Sequence, residues 1–272
     1  MTKPAIREIA SPSNPLIKDI KALHLKKRRD ESGLFIAEGA RSVIEALDCG
    51  APPRFLIYSK EAGGGETIRQ LRERTVAAGG EVLEVGAAIL EKLARKDNPQ
   101  SVLGVFRQRY LDLSRLDPNA ARVFVALECV KDPGNLGTII RTVDSIAAGG
   151  VILVGTTCDP YSVEAVRASM GSIFSVPLWR ADEAAFLKIC RDFPGVVVGT
   201  ALQSSTDYRA ALYRRPTLLV MGTEQAGLSE AARAACGALV KLPMKGRADS
   251  LNLAVSTGIM LYHLDDVLSR PD

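Results

Sequence analysis

The sequence predicts an α/β protein made of two units. Three observations predict it: extended apolar runs alternate with helical patterns along the chain, the runs of the second half are continuous and rich in Val, and a polar, turn-prone stretch at 112–119 interrupts the alternation. The expected organisation is therefore a small α/β unit over residues 1–110, a linker over 111–120 and a parallel-sheet unit over 121–272.

In the first unit Asn14 is placed to cap a helix and Pro15 to occupy its first turn, while Leu16, Ile17, Ile20 and Leu23 recur at helical spacing. That spacing leaves Lys18, Lys21, Lys26 and Arg29 on the opposite face, beside Lys27 and Arg28. A charged helix face is ordinarily a solvated one, but a cluster this dense and of one sign also suits phosphate. Strands are expected at 34–37, 54–58, 81–85 and 102–106, with helices near 40–49, 66–78 and 87–95 between them. Beyond the linker, strands at 123–127, 151–154, 196–200, 217–221 and 239–242 carry almost uninterrupted apolar side chains, the pattern of a parallel sheet buried on both faces. Such sheets bind ligands at the loops leaving the carboxyl ends of their strands.

Composition bounds the function. With 272 residues, 47% hydrophobic and 24% charged, the chain is neither disordered nor a disulfide-stapled miniprotein. Residues 1–110 hold 19 Lys/Arg against 14 Asp/Glu, whereas the remainder is close to neutral, so the basic excess of the +4 chain lies in the first unit. Five dispersed cysteines offer neither zinc nor disulfide spacing and are expected to be buried thiols; two histidines leave little for a metal site or a Ser-His-Asp hydrolase. No uncharged apolar stretch approaches the roughly 18–20 residues of a spanning helix, and the first five residues lack the apolar block of a signal peptide, so a cytoplasmic protein without membrane or metal partners is expected.

Three loops of the second unit carry unusual residues. In Lys131-Asp132-Pro133-Gly134-Asn135-Leu136-Gly137, a turn leads into a helix that Asn135 is placed to cap, with Arg141 on its face away from Ile139, Ile140 and Val143; helix amides and a guanidinium there suit an anion. In Met221-Gly222-Thr223-Glu224-Gln225-Ala226-Gly227, two glycines permit close approach around the lone charge of Glu224. In the third, Ser250 is placed to cap a helix without charge until Asp265, leaving Asn252 as a polar group in an apolar wall and an uncharged face suited to a second subunit. Neither a dinucleotide-binding nor a P-loop fingerprint occurs.

Jointly and in this order, Asp132-Pro133-Gly134-Asn135-Leu136-Gly137 through Arg141-Thr142, Met221-Gly222-Thr223-Glu224 with Gly227-Leu228, and Leu242-Pro243-Met244 followed by Ser250-Leu251-Asn252 resemble the SpoU (TrmH-like) RNA 2′-O-ribose methyltransferases of the SPOUT superfamily. Residues 5–108, with Phe35-Ile36-Ala37-Glu38-Gly39, look like the ribosomal-protein-like domain that often precedes that catalytic domain. The resemblance implies a C-terminal trefoil knot, a homodimer, and S-adenosyl-L-methionine held by loops at Thr200, Ala201, Gly222, Leu242, Met244 and Leu251. It also implies catalytic roles for Asn135, Arg141, Glu224, Ser250 and Asn252, with Arg141 at the RNA, while the basic cluster of the first unit adds Lys26, Lys27, Arg28 and Arg29 as expected RNA contacts. One departure stands in the second loop, where Gln225 replaces a glycine common after the glutamate.

Ribosomal RNA is the substrate class that the two-domain layout favours. A transfer-RNA methyltransferase and an antibiotic-resistance ribosomal RNA methylase are the alternatives within the family. From a different class comes a non-catalytic RNA-binding or ribosome assembly factor, against which stand all five polar residues of the motifs.

Overall fold

The computed structural model describes residues 6–94, 101–202, 204 and 206–270. The five N-terminal residues and the last residue of the helix expected at 87–95 lie outside that range. By compactness the chain divides into one unit running to Gln108 together with Tyr161–Ser175, and a second over Arg109–Pro160 and Val176–Asp272.

The first unit runs β1 (Ile6–Ile9), α1 (Pro15–Ala22), α2 (Lys26–Ser32), β2 (Leu34–Glu38), α3 (Ala40–Asp48), β3 (Phe55–Ser59), α4 (Glu66–Ala77), β4 (Glu81–Val85), α5 (Ala87–Ala94) and β5 (Val102–Arg107). Its five strands form a mixed sheet in the order β1-β4-β3-β5-β2. Strand β1 is absent from the sequence expectation because an edge strand with one buried residue of four gives no continuous apolar run.

Asn14 caps α1 as expected, its side chain accepting from the Leu16 amide at 2.9 Å. The single long helix expected beyond it is two. The chain bends at Leu23–Leu25, and Arg29, expected on the open face, is buried at 4% exposure. There its Nη1 donates to the Leu23 carbonyl at 2.8 Å, satisfying a carbonyl left over where α1 ends. Lys26, Lys27 and Arg28 stay exposed beside Asp30 and Glu31.

The second unit runs β6 (Val123–Glu128), α6 (Pro133–Ser145), β7 (Val151–Val154), then α7 (Val163–Ser169), which belongs to the first unit, followed by β8 (Leu178–Ala181), α8 (Glu183–Asp192), β9 (Val196–Thr200), β10 (Thr217–Met221), α9 (Glu230–Ala235), β11 (Ala238–Val240) and α10 (Leu253–Ser269). Six strands, all paired in parallel, lie in the order β11-β9-β10-β6-β7-β8. Central strands β6, β7 and β10 are buried almost throughout, as continuous apolar runs require. Edge strand β8 carries exposed Arg180, which is why no apolar run announces it. The stretch expected as a linker packs on this unit: Leu111, Leu113 and Leu116 lie against its core, and the Leu111 amide donates to Leu178 O at 2.8 Å.

The excursion at Tyr161–Ser175 is held in the first unit by rings and by one buried charge. Tyr161 packs tilted on Phe35 at 4.7 Å between centroids, and Phe174 packs on Phe35 and Phe106 at 5.8 and 4.7 Å. Arg167 Nη2 donates to Glu38 Oε1 at 2.7 Å, where the Glu38 side chain is only 5% exposed. Removing the guanidinium strands a buried carboxylate, so Arg167→Met is expected to lower unfolding stability by about 2 kcal/mol, a figure reduced because Arg167 itself is partly solvated. Adding Glu38→Gln should restore part of that loss in urea unfolding; an unchanged midpoint for Arg167→Met contradicts the assignment.

Candidate active site

The loops leaving β9, β10 and β11 and the segment leading into α10 enclose a cleft of about 830 Å³, its open mouth included. Thr200, Ala201, Gly222, Leu242, Met244 and Leu251 all line it. One wall is set by Gly222. A Cβ built there would lie 2.1 Å from the Gly227 carbonyl carbon and 2.3 Å from the Leu228 nitrogen. The two loop strands touch that closely because Thr223 and Gly227 exchange amide-to-carbonyl hydrogen bonds at 3.0 and 2.9 Å, with Gly227 in the left-handed region at φ +67°. Gln225 and Ala226 fit this turn at ordinary negative φ, so the departure at Gln225 leaves the loop closed.

Beside the cleft lies a polar recess lined by Asp132, Asn135, Glu224, Ser250, Leu251 and Asn252; Glu224, Ser250 and Leu251 line both. Two expected caps are corrected here. Asp132, not Asn135, caps α6, its Oδ1 accepting from the Asn135 amide at 2.6 Å with Pro133 in the first turn. Asn252, not Ser250, caps α10, its Oδ1 accepting from the Ala254 and Val255 amides at 2.9 and 3.2 Å.

The shift has a chemical consequence. Because the Asn252 oxygen is occupied by two amides, its Nδ2 must face outward, and it donates to Asn135 Oδ1 at 2.9 Å. Asn135 in turn donates through Nδ2 to Glu224 Oε1. The relay fixes both amide orientations and aims one carboxylate at the junction of recess and cleft. Asn252, expected inside an apolar wall, is instead exposed in the single chain.

A family model described as the SpoU rRNA Methylase family matches residues 122–262, just over half of the chain and all three loops. The chain belongs to that family. A second model, the MRM3-like substrate binding domain, matches residues 14–104. Over 266 residues the chain is 32% identical to the 23S rRNA (uridine(2479)-2'-O)-methyltransferase of Streptomyces viridochromogenes, taking in 95% of this chain and 92% of that relative. It is 28% identical over 259 residues to the 23S rRNA (guanosine(2553)-2'-O)-methyltransferase of Bacillus subtilis, taking in 95% and 99%. Among solved structures, an AdoMet-bound rRNA methyltransferase from Sinorhizobium meliloti superposes with a TM-score of 0.90 at 47% identity, covering 97% of this chain and 98% of that one.

Within this SpoU methylase, Arg141 lies apart from the other motif residues. It is exposed on α6, lines neither cleft nor recess, and makes no ion pair or side-chain hydrogen bond among the described residues. It shares a helix face with Thr138 and Ser145, and Ser145 Oγ meets the hydroxyl of Tyr262 on α10 at 3.2 Å. The sequence reading missed three residues. Asp132 was announced by an Asp-Pro pair at a helix start; Arg233 and Lys241, which line the cleft, carried no signal beyond their charge.

Three of the thiols are held in their protonated, unreactive form. Burial, with Asp132 and Asp159 nearby, pushes Cys158 up to about 12, and burial pushes Cys190 to about 11 and Cys236 to about 12. No disulfide joins the cysteines among the described residues, but only Cys190 is fully buried and Cys49 is exposed, against the expectation of buried thiols throughout: Cys49 follows the last residue of α3, where the chain turns at Gly50. Among the described residues no group of acids, His and Cys could hold a metal ion, and no helix is long and apolar enough to cross a membrane.

Proposed function

We propose that this chain transfers a methyl group from S-adenosyl-L-methionine to a ribose 2′-hydroxyl of 23S ribosomal RNA. The observation that carries the reading is the junction of an apolar, glycine-walled cleft with a recess holding an Asn252–Asn135–Glu224 relay, in a member of the SpoU family. The cleft fits the cofactor: Gly222 lets the 223–227 turn close against it and form one wall, and Leu242, Met244 and Leu251 offer apolar contact to a flat base. Bound there, S-adenosylmethionine supplies an electrophilic methyl on a sulfonium. The chain's own residues then have three tasks. Thr200, Ala201 and the loops at Gly222, Leu242, Met244 and Leu251 would hold the base; Glu224, oriented by Asn135 and Asn252 and with Ser250 beside it, would supply a negative charge to complement the sulfonium; Arg141 would orient a phosphate or stabilise the developing alkoxide. The C-terminal trefoil knot implied by the family resemblance is part of this reading.

The transfer needs Arg141 at a cleft, and its own cleft does not contain it. We infer a homodimer in which α6 and α10 of one copy meet the other. Val255 (51% exposed), Ile259 and Tyr262 (56% exposed) form an apolar stripe at helical spacing on α10, next to the Arg141 face of α6. Light scattering should give a dimer for the wild type and a monomer for Tyr262→Glu; a monomeric wild type at micromolar concentration refutes the interface.

Lys26, Lys27 and Arg28 extend the reading to the first unit as RNA contacts; the burial of Arg29 removes it from that surface. Replacing the three by Gln should weaken RNA binding and flatten its salt dependence by about 0.7–0.9 in log–log slope for each phosphate that is no longer neutralised. An unchanged slope assigns the RNA elsewhere.

The reading implies a location with ribosomes, the cytoplasm. Its test is methyl incorporation from labelled S-adenosylmethionine into purified ribosomal and transfer RNA. Label in ribosomal RNA as alkali-resistant dinucleotides is expected; label confined to transfer RNA overturns the substrate, and none in either overturns the activity.

A further inference from the structure

Three charged side chains line the cleft among the described residues, and the reading above uses only Glu224. We propose that Arg233, with Lys241, holds the carboxylate of the cofactor's amino-acid arm; this rests on the reading of the cleft as an S-adenosylmethionine site.

Arg233 is built as a fixed donor. Its Nε donates to the Leu228 carbonyl at 3.0 Å, which locks the guanidinium plane and leaves both terminal nitrogens for a ligand. No carboxylate lies within ion-pair distance of it among the described residues. Its Nη2 stands 3.8 Å from where a Cβ on Gly227 would lie, so the guanidinium sits against the loop that bounds the cleft. Half-buried and unpaired, such a cation is partly desolvated before any anion arrives, a cost that a bound carboxylate offsets.

Lys241 is clamped through its main chain: its amide donates to Thr206 O at 2.9 Å, and its carbonyl accepts from the Tyr208 amide at 3.0 Å. Its side chain likewise has no acidic partner among the described residues. The cleft is therefore polarised, with one carboxylate tied into the recess and two unpaired cations outside it. S-Adenosylmethionine carries the complementary pattern, a sulfonium at the reacting centre and a carboxylate at the end of its arm. An RNA phosphate is the other anion that could meet the same cations.

Decarboxylated S-adenosylmethionine keeps the adenosine, sulfonium and ammonium and lacks only the carboxylate, so calorimetric titration with both compounds isolates this interaction. The wild type is expected to prefer S-adenosylmethionine by about tenfold or more. Arg233→Gln should shrink that preference to about threefold or less, with affinity for the decarboxylated compound unchanged, and Lys241→Met should shrink it further in the double variant. Equal weakening toward both compounds means that Arg233 only braces the Leu228 loop, and overturns the proposal. So does an undiminished preference accompanied by weaker RNA binding, which assigns the cations to phosphate, and so does a wild type that binds both compounds equally. A wild type that binds neither compound overturns the cofactor site itself, and the proposal with it.

Discussion

Gly222→Ala is expected to abolish S-adenosylmethionine binding and to destabilise the second unit by about 3 kcal/mol. The new methyl would lie 2.1–2.3 Å from backbone atoms of Gly227 and Leu228, not from the end of a flexible side chain. Relief therefore requires parting the Thr223–Gly227 pair, which costs both hydrogen bonds and moves Glu224 within the turn. Calorimetry with S-adenosylhomocysteine and thermal unfolding read the two effects separately. Wild-type affinity in this variant would show that the loop yields easily and that the cleft wall is not set by this close approach.

Arg141→Ala is expected to lower the rate of methyl transfer by about a thousandfold while leaving cofactor affinity unchanged, because Arg141 lines no part of its own chain's cleft and its task is on the RNA phosphate or alkoxide rather than on the cofactor. The two readouts separate a role at the reacting centre from one in binding. A guanidinium keeps its proton in water, so a neutral arginine acting as base is costly, and orientation of phosphate or stabilisation of an alkoxide accounts for the same loss. Both tasks use the planar fork of donors, and Arg141→Lys should therefore recover little activity. Near-normal turnover in the lysine variant would contradict the fork, and weakened cofactor affinity in the alanine variant would contradict the separation. If the inferred dimer supplies Arg141 to the partner's cleft, mixing Arg141→Ala with a Gly222→Ala chain should regenerate activity at one site of the mixed dimer.

The central strands of the second unit were legible because burial on both faces writes itself as continuous apolar runs; β6, β7 and β10 are such runs. Strands β1 and β8 were not, since each lies at a sheet edge where half or more of its side chains need not be apolar or where an Arg is tolerated. The bend after α1 was hidden for a related reason. Helical spacing continues in register through Leu23 and Arg29, and only the unsatisfied Leu23 carbonyl, a backbone property, turns Arg29 inward.

At the site, the family resemblance rather than spacing named the six residues that line the cleft, and it also named Asn135, Glu224, Ser250 and Asn252, which line the adjoining recess. The caps went astray by two or three residues because Asn, Asp and Ser are interchangeable as caps on paper. In the structure Asp132 takes one and Asn252 the other, and these choices orient the relay to Glu224. Arg233 and Lys241 lay beyond sequence reasoning, since nothing local distinguishes a cation facing a cleft from one facing water.

The central claim is that this chain methylates a ribose in ribosomal RNA. The most direct test maps 2′-O-methylation at nucleotide resolution in ribosomal RNA from a strain lacking the gene, after incubation with S-adenosylmethionine and either the wild-type protein or Arg141→Ala. One new methylated ribose that appears with the wild type and not with the variant is the predicted result. No new site in naked RNA or in ribosomal particles, from protein shown to bind the cofactor, would contradict it.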